Sequence, residues 1–316
     1  MRVKRFILPN SKIDVKQRIR IIISFLYSII PIGYLLIGLH YLLKKKKNYK
    51  YEVSLCLLFK NEAPYLKEWL EYHLMIGVEH FYLYNNNSVD DFEEILYPYI
   101  QQGMVTLIEW PKLYSQVEAY QNCYKARKEE SHWIGFIDAD EFINISYEQG
   151  TIIKFLSKYK RYPSVTLFWK IFGTSGVMKE DPSKLVVENY TSCWPYLSNL
   201  GKYFLNNDYI FTAITVHWCK AMYWRLPLYS VASNKMFCPY LESFPRNISF
   251  DAYLNHYWSR SREWALYKTY HRSDAAGENW EITRKHNGLD FFELQCSDKD
   301  FSIQRWLAYL KERMKV

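Results

Sequence analysis

The sequence has few residues that interrupt or crosslink a chain. Gly and Pro number eleven each among 316 residues, which excludes collagen-like and Pro-rich linker sequences. The six cysteines include no Cys-x-x-Cys pair, and this spacing argues against a structural zinc site. Their even number allows disulfides, although a chain of this length does not require them. Aromatic residues, by contrast, make up 18% of the chain, and so much buriable surface excludes a disordered protein.

The formal net charge of +8 is confined to the first part of the chain. Residues 1–50 hold twelve of the 41 Lys and Arg residues and only one of the 33 acidic residues, Asp14. The remainder therefore has 29 basic against 32 acidic residues, a net charge of −3. Nucleic-acid binding depends on Lys and Arg neutralising phosphates, so the charge pattern predicts no nucleic-acid partner.

Residues 21–43 form an apolar run without Lys, Arg, Asp or Glu. This run is long enough for a membrane helix, which needs about 20 apolar residues. Seven Lys/Arg precede it in the basic segment 1–20, and five lie in 44–50, so the flanks nearly balance. Two arrangements stay open: a spanning helix, or a re-entrant hairpin bent at Pro31-Ile32-Gly33. In either case residues 1–50 are expected to contact anionic membrane lipids.

Beyond residue 50, strand-like and helix-like segments alternate. Apolar runs at 51–59, 80–84, 104–110 and 133–137 predict buried strands, and the segments between them suit helices. Strands that are apolar throughout are typical of a parallel sheet covered on both faces. The sequence predicts an α/β domain over 51–290, with a central, mostly parallel sheet and helices on both faces, followed by a C-terminal helix over 291–316.

Polar residues follow three of these strands at the point where each strand ends. Ligands of parallel sheets bind beyond the carboxyl ends of the strands, so these residues should line one edge. The three groups are Lys60-Asn61-Glu62, Asn85 to Ser88, and Asp138-Ala139-Asp140.

Asp138 and Asp140 are the most informative pair. Two carboxylates one residue apart at a strand end can hold a hard divalent cation, and Mg²⁺ is usually bound through one or two carboxylates plus substrate phosphates. Such a cation would stabilise a diphosphate leaving group. The alternative is a turn or a helix cap, because Asp suits both.

A series of motifs over roughly residues 51–275 resembles glycosyltransferase family 92 and its family-2 relatives. Each motif is modest alone, but their order and spacing are specific. The motifs are Lys60-Asn61-Glu62, Leu66-x-x-Trp69-x-x-Tyr72-His73-x-x-x-Gly77-Val78, Phe81-Tyr82-Leu83-Tyr84-Asn85-Asn86-x-Ser88, Ala119-Tyr120-x-x-Cys123, Trp133-Ile134-x-Phe136-Ile137-Asp138-x-Asp140-Glu141-Phe142, Trp169-x-x-Phe172-Gly173-Thr174-Ser175-Gly176 and Asn255-His256-Tyr257-x-x-x-Ser261-x-Glu263.

The resemblance implies a GT-A fold, a nucleotide-sugar donor, a divalent metal and transfer of one hexose. Mn²⁺ is the usual metal and Mg²⁺ the alternative; inverting transfer of galactose from a UDP-sugar is the favoured reaction. By analogy, Asp138 and Asp140 would hold the metal and the donor diphosphate, with one of His256 and His217 as a third ligand. The residues expected to contact the nucleotide sugar are Lys60, Asn61, Glu62, Asn85, Asn86, Asn87 and Ser88.

Inversion requires a general base near the acceptor hydroxyl. Glu180 and Asp181 follow the Gly173–Gly176 loop, and Glu141 lies nearer the aspartate pair, so the three remain open candidates. The cationic side chains of Lys202, Arg260 and Lys268 could meet phosphate charge. Surface solvation is the alternative for these cations.

Together these features predict a membrane-associated, metal-dependent glycosyltransferase that acts on a glycan or lipid-linked glycan. The alternative is a non-catalytic nucleotide-sugar or glycan-binding protein that retains the same fold. We expect a bacterial inner-membrane protein with a cytoplasmic catalytic domain, or else a type II Golgi protein. Two of the four Asn-x-Ser/Thr sequons fall in or beside the donor edge, where a glycan would obstruct binding, which favours the first location.

Overall fold

The computed structural model describes residues 32–45, 47–223, 226–228, 230–235, 237–238, 249–271, 289–290 and 293–315. The predicted basic segment 1–20 and the first part of the apolar run, residues 21–31, lie outside the described residues.

The described chain alternates between helices and strands before it becomes mainly β. The α-helices are α1 (Ile32–Leu43), α2 (Ala63–Met75), α3 (Phe92–Gln101), α4 (Gln116–Arg127), α5 (Ile152–Ser157), α6 (Val186–Asn189), α7 (Arg262–His271) and α8 (Leu307–Met314). The strands are β1 (Tyr51–Phe59), β2 (His80–Asn85), β3 (Val105–Glu109), β4 (Ser131–Phe136), β5 (Glu141–Ile145), β6 (Ser164–Ile171), β7 (Ser192–Cys193), β8 (Gly201–Asn206), β9 (Ile210–Ile214), β10 (Cys219–Tyr223), β11 (Leu226–Leu228), β12 (Ser230–Ala232), β13 (Phe237–Cys238), β14 (Ala252–His256) and β15 (Asp298–Lys299).

The first half of the sheet is parallel, as the sequence predicts. β1 pairs in parallel with β2 on one side and with β4 on the other, and β3 continues the sheet beyond β2. Every residue of β2 and of β4 is buried, which explains why residues 81–84 and 133–136 include no charged side chain. The carboxyl ends of β1, β2 and β4 therefore meet at one edge.

The second half of the sheet is mixed, so the prediction of a mostly parallel sheet holds only for the first half. β8 lies antiparallel between β4 and β6, and β14 pairs in parallel with β6 and antiparallel with β5. The connection from β6 to β8 contains only the four-residue helix α6 and the short strand β7. Parallel neighbours need a crossover connection, usually a helix, whereas this stretch returns the chain in the opposite direction.

Helix α2 is fixed directly behind the turn between β4 and β5. Its Leu66, Leu70 and His73 side chains are buried. The Trp69 indole, also buried, donates to the carbonyl of Glu141 at 3.0 Å. One turn further on, the Tyr72 hydroxyl donates to the carbonyl of Ile143 at 2.7 Å. These bonds to successive inward residues hold β5, and with it the aspartate turn, at a fixed position in the core.

The C-terminal segment runs across the domain. β15 pairs with β7, and α8 packs on α2, where Arg313 forms an ion pair with Glu71 at 2.7 Å. Within the predicted helical segment 291–316, the structure has β15, a 3₁₀ turn at Ser302–Trp306 and then α8.

Helix α1 is the described part of the apolar run. It has 12 residues, and its Ile37 side chain is buried at 1% exposure against the domain. Across the part of the chain that the structure describes, there is no helix with both the length and the apolar character needed to span a membrane.

Candidate functional site

The aspartate pair lies in a tight turn at the carboxyl edge of the parallel strands. β4 ends at Phe136 and β5 begins at Glu141. The Glu141 amide donates to the Asp138 carbonyl at 3.1 Å, while the Asp138 amide donates to the Glu141 carboxylate at 3.0 Å. This reciprocal pair of bonds closes the turn and fixes the backbone that carries Asp138 and Asp140.

The Asp138 carboxylate is held from three directions. Gln116 and Tyr120, one turn apart on α4, donate to its Oδ1 at 2.7 and 3.0 Å. The Lys202 ammonium lies 2.8 Å from Oδ2. The side chain of Asp138 nevertheless stays 30% exposed, so it remains open to a ligand at this edge.

Lys202 is a fully buried cation on β8. Burial alone would lower its pKa, but the charges of Asp138 and Glu141 outweigh burial and raise it. Lys202 is next to Gly201, where a Cβ would come within 2.1 Å of the Leu167 carbonyl oxygen. Glycine is therefore required there for β8 to approach β6 closely enough to bring Lys202 under the turn.

The Asp140 carboxylate is buried and paired with Lys268 of α7. The His256 Nε2 lies 3.6 Å from its other oxygen. Burial would raise the pKa of Asp140, but the charges of Lys268 and His256 hold that pKa well below its ordinary value. Asp140 is therefore an anion in the folded protein.

A third ion pair, between Arg260 and Glu62, is also buried and contacts the turn. The Arg260 guanidinium donates to the Glu62 carboxylate at 2.9 Å and to the Ala139 carbonyl at 3.2 Å. Its plane also stacks on the Tyr65 ring, 3.4 Å from the centroid. Glu62, expected to contact the nucleotide sugar, is only 5% exposed and anchors Arg260 to the start of α2.

The other residues expected at the nucleoside site form an interlocked pair of loops. The Asn61 amide donates to Ser88 Oγ at 3.0 Å, and its side-chain oxygen accepts from the Val89 amide at 2.8 Å. The Asn85 side-chain oxygen accepts from the Ser88 amide at 2.9 Å, so the ends of β1 and β2 are tied together.

Three further members of this group complete the same edge. Asn86 donates to the carbonyls of Trp110 and Lys112, each at 2.7 Å, while Asn87 is exposed in the left-handed conformation at φ 53°. Lys60 follows β1 and is partly exposed. The structure thus brings all three predicted polar groups to one edge.

The two candidate histidines flank one tryptophan. The rings of His256 and His217 lie 4.4 and 5.1 Å from the Trp169 ring, measured between centroids. His217 makes its hydrogen bond to the Gly201 carbonyl at 3.1 Å, and burial lowers its pKa to about 4. Of the two, His256 is the one that the structure places beside Asp140.

The three candidate bases have different surroundings. Glu141 is fully buried, and burial raises its pKa well above the ordinary value despite the charge of Lys202. Asp181 accepts from the Ser183 amide and hydroxyl at 3.0 and 2.6 Å, within its own loop. Glu180 accepts from the Tyr190 hydroxyl at 2.9 Å and from the Ser261 amide at 3.1 Å, next to Arg260.

The donor chemistry of the turn suits a divalent cation. It offers two carboxylates and an imidazole, and His256 Nδ1 is buried without a hydrogen-bond partner. In the structure, lysine ammonium groups neutralise the two aspartates: Lys202 pairs with Asp138, and Lys268 pairs with Asp140. Among the residues that the structure describes, no three His, Cys, Asp or Glu side chains are grouped closely enough to hold a metal. Asp138, Asp140 and His256 would therefore have to come closer together, and the two ammonium groups would have to move, for a metal to bind between them.

Sequence reasoning missed Gln116 and Tyr120. Tyr120 falls inside the Ala119-Tyr120-x-x-Cys123 motif, and its spacing of four from Gln116 places both on one face of α4. That spacing was the available signal.

Sequence comparison decides the family. The sequence model of glycosyltransferase family 92 matches residues 49–269, which include every residue of the site described above. This chain belongs to glycosyltransferase family 92. The matched region begins just before β1 and ends within α7, so it covers the central sheet and leaves out α1 and the C-terminal segment.

Curated plant proteins share parts of this domain. A family 92 protein of Ricinus communis is 30% identical over 159 residues, covering 47% of this chain and 27% of that protein. One of Arabidopsis thaliana is 39% identical over 100 residues, covering 31% and 17%. The galactan β-1,4-galactosyltransferase GALS2 of Arabidopsis thaliana is 24% identical over 133 residues, covering 38% and 26%. The chain thus spans about a quarter or less of the length of these relatives.

Among solved structures, residues 1–349 of S. aureus TarS in complex with UDP-GlcNAc align with a TM-score of 0.33 at 13% identity. The alignment covers 49% of this chain and 45% of that one.

Proposed function

We propose that this family 92 chain is a glycosyltransferase with a GT-A fold that moves a hexose from a nucleotide-diphosphate sugar to a glycan. One observation carries the proposal: Asp138 and Asp140 project from a closed turn at the carboxyl edge of the parallel strands, each with a buried ammonium as counter-charge. A site that balances anionic and cationic groups in this way can accept a charged diphosphate together with its cation.

The donor is proposed to lie along the edge formed by the ends of β1, β2 and β4. There the loops that contain Asn61 and Ser88 are joined by a hydrogen bond and form the proposed nucleoside-binding surface. The aspartate turn lies at the end of β4. Asp138, Asp140 and His256 are the residues that would hold Mn²⁺ or Mg²⁺, whose charge would offset that of the diphosphate. The favoured donor is UDP-galactose, which the resemblance to family 92 implies and which the name of the Arabidopsis galactosyltransferase supports.

Lys202 and Lys268 have a further role in this scheme. With a cation held by the two carboxylates, both ammonium groups would be available to the phosphate oxygens of the donor. Arg260 cannot join them without leaving Glu62, so we assign it to positioning the turn.

Glu180 is proposed as the general base of an inverting reaction. Glu141 is enclosed and has a raised pKa, and Asp181 points into its own loop. Glu180 accepts a hydrogen bond from the amide of Ser261. Ser261 follows Arg260, whose guanidinium contacts Ala139 in the turn, so Glu180 lies close to the aspartate turn. Its carboxylate would take the proton of the acceptor hydroxyl as that oxygen attacks the sugar.

The acceptor is proposed to be a glycan, free or lipid-linked, and residues 1–50 are proposed to hold the protein at a membrane. The location proposed is a bacterial inner membrane with the domain in the cytoplasm, with a type II Golgi arrangement as the alternative.

The test is release of UDP from UDP-galactose by the purified full chain with Mn²⁺. Asp138→Ala and Asp140→Ala should each abolish release, while Asp298→Ala, an exposed aspartate on β15, should leave it unchanged. EDTA should stop the reaction and Mn²⁺ should restore it. A chain that binds UDP-galactose tightly but releases no UDP with any glycan acceptor would instead be the non-catalytic binding protein.

A further inference from the structure

Helix α1 has an inner face that is fixed to the domain. Ile37 is buried, and the His40 ring stacks on Tyr209 with 4.0 Å between centroids. His40 Nε2 also forms a hydrogen bond of 3.0 Å with the Asp208 carbonyl. Ile37 and His40 are three residues apart, so they lie on one side of the helix.

The chain that follows α1 is held by the same aspartate. Lys44 forms an ion pair with the Asp208 carboxylate, and the Tyr49 hydroxyl donates to it at 3.1 Å. His132, at the start of β4, lies 3.3 Å from it. These contacts make α1 a part of the folded domain rather than a flexible tether.

The outer face of α1 is apolar and unpacked. Leu35, Leu39, Leu42 and Leu43 are 70%, 40%, 79% and 64% exposed, and their spacing of i, i+4, i+7 and i+8 places them on one stripe. Ile210, which directly follows Tyr209, is 71% exposed beside this helix contact.

The sequence on either side of α1 indicates what covers this stripe. The preceding residues 21–31 continue the apolar run without a charged side chain, and the basic run Lys44–Lys47 follows the helix. In this run Lys44 and Lys47 form ion pairs with Asp208 and Glu129, and Lys45 is exposed. Apolar contact combined with a basic cluster matches a bilayer with anionic headgroups. Because the Ile37 and His40 side of α1 packs on the domain, the opposite side of the helix is the one that can lie along the bilayer surface.

We propose that α1 docks the domain onto an anionic lipid bilayer, with its leucine stripe on lipid and its opposite face on Asp208 and Tyr209. This inference deepens the proposed function and rests on it only for the identity of the acceptor.

The docking point fixes where the site lies relative to the bilayer. The contacts of α1 and residues 44–49 fall at the amino end of β4, near His132, and the aspartate turn follows its carboxyl end. β4 has six residues, which corresponds to about 20 Å. The strand therefore separates the site from the docking point by up to about 20 Å. We expect the acceptor hydroxyl to be carried by a glycan that extends away from the bilayer, or by a free glycan, rather than by a sugar attached directly to a lipid headgroup.

The experiment places the photocrosslinker p-benzoylphenylalanine at Leu42 or at Leu113 in the full chain. Leu113 is a matched control, since it is 67% exposed and follows β3 at the site edge. Both proteins are reconstituted with vesicles of phosphatidylcholine and phosphatidylglycerol and irradiated, and lipid adducts are measured by mass spectrometry. We expect lipid adducts at position 42 and none at position 113, with fewer at position 42 in vesicles of phosphatidylcholine alone.

Crosslinks from position 42 to a second copy of the chain, or no adduct at all, would overturn the lipid contact. Equal lipid labelling at positions 42 and 113 would overturn the placement of the site away from the bilayer. UDP release by the unmodified full chain in detergent reports on the proposed function separately, because that reaction requires no bilayer.

Discussion

The Lys202 ammonium lies 2.8 Å from the Asp138 carboxylate, although the lysine side chain is fully buried in the centre of the sheet. Breaking a buried ion pair by removing one partner is more costly than removing both, because the remaining charge is left uncompensated. The Asp138–Lys202 pair is therefore both a part of the site and a determinant of stability.

Lys202→Met should lower the free energy of unfolding by about 3 kcal/mol, the lower end of the cost of breaking a buried pair. The double variant Asp138→Asn with Lys202→Met should recover part of this loss, since it leaves less uncompensated charge. Urea denaturation of the wild type, both single variants and the double variant measures the coupling. Strictly additive effects would show that the two side chains do not interact.

Lys268→Met should strengthen metal binding at the turn. The variant removes the ammonium that competes with a cation for Asp140, and we expect Mn²⁺ affinity to rise by roughly tenfold, equivalent to about 1.4 kcal/mol. Electron paramagnetic resonance of free Mn²⁺ in a titration of the full chain measures this without any assay of activity. Lys311→Met is the matched control: it removes a lysine of α8 that forms an ion pair with Glu188, and it should bind Mn²⁺ as the wild type does. Unchanged affinity in Lys268→Met would mean that Asp140 is not a metal ligand.

Glu180→Gln should reduce kcat by roughly two to four orders of magnitude with little change in KM for the donor, since it removes proton transfer. Its amide oxygen can still accept from the Ser261 amide, and its NH2 group can donate to the Tyr190 hydroxyl oxygen, so the side chain stays in place. Asp181→Asn is the control and should retain nearly full kcat. Steady-state kinetics with UDP-galactose and a glycan acceptor separate the two parameters. If Asp181→Asn were the inactive variant, the base would be misassigned.

Glu68 should make the protein less stable as the pH rises. Its buried carboxylate accepts from the amides of Val186 and Val187, yet burial raises its pKa from 4.5 to about 7. Because the folded pKa exceeds the unfolded one, the stabilising contribution is complete below about pH 4.5 and is lost as the pH rises through 7.

The loss amounts to about 3 kcal/mol, since each pKa unit corresponds to 1.36 kcal/mol. Glu68→Gln, which cannot ionise, should flatten this part of the profile when unfolding free energy is measured by denaturant between pH 4.5 and 8. An equally steep decline in Glu68→Gln would assign the effect to another group.

Local features of the fold follow from the sequence. Predicted strands at 51–59 and 80–84 match β1 and β2, because apolar runs of that length bounded by turn residues are local signals. The stretch after β6 gave no such signal, and its antiparallel strand β8 is fixed by pairing with β4 and β6 instead. The acidic pair and its position at a strand end could be predicted from local sequence signals. The side chains that contact the pair are fixed by tertiary packing and could not be predicted in this way.

The sequence alone determined that Asp138 and Asp140 stand at a strand end of an α/β domain, and the motifs around them indicated the family. Only the tertiary structure decided which side chains form ion pairs and hydrogen bonds with these aspartates and with the turn that carries them. Lys268 lies 128 residues from Asp140 along the chain and Arg260 lies 198 residues from Glu62, so no periodicity could pair them. The physical reason is that hydrophobic periodicity reports only on residues that are close in sequence. A buried charge, by contrast, is stabilised by any opposite charge that the folded core places beside it, however distant in sequence.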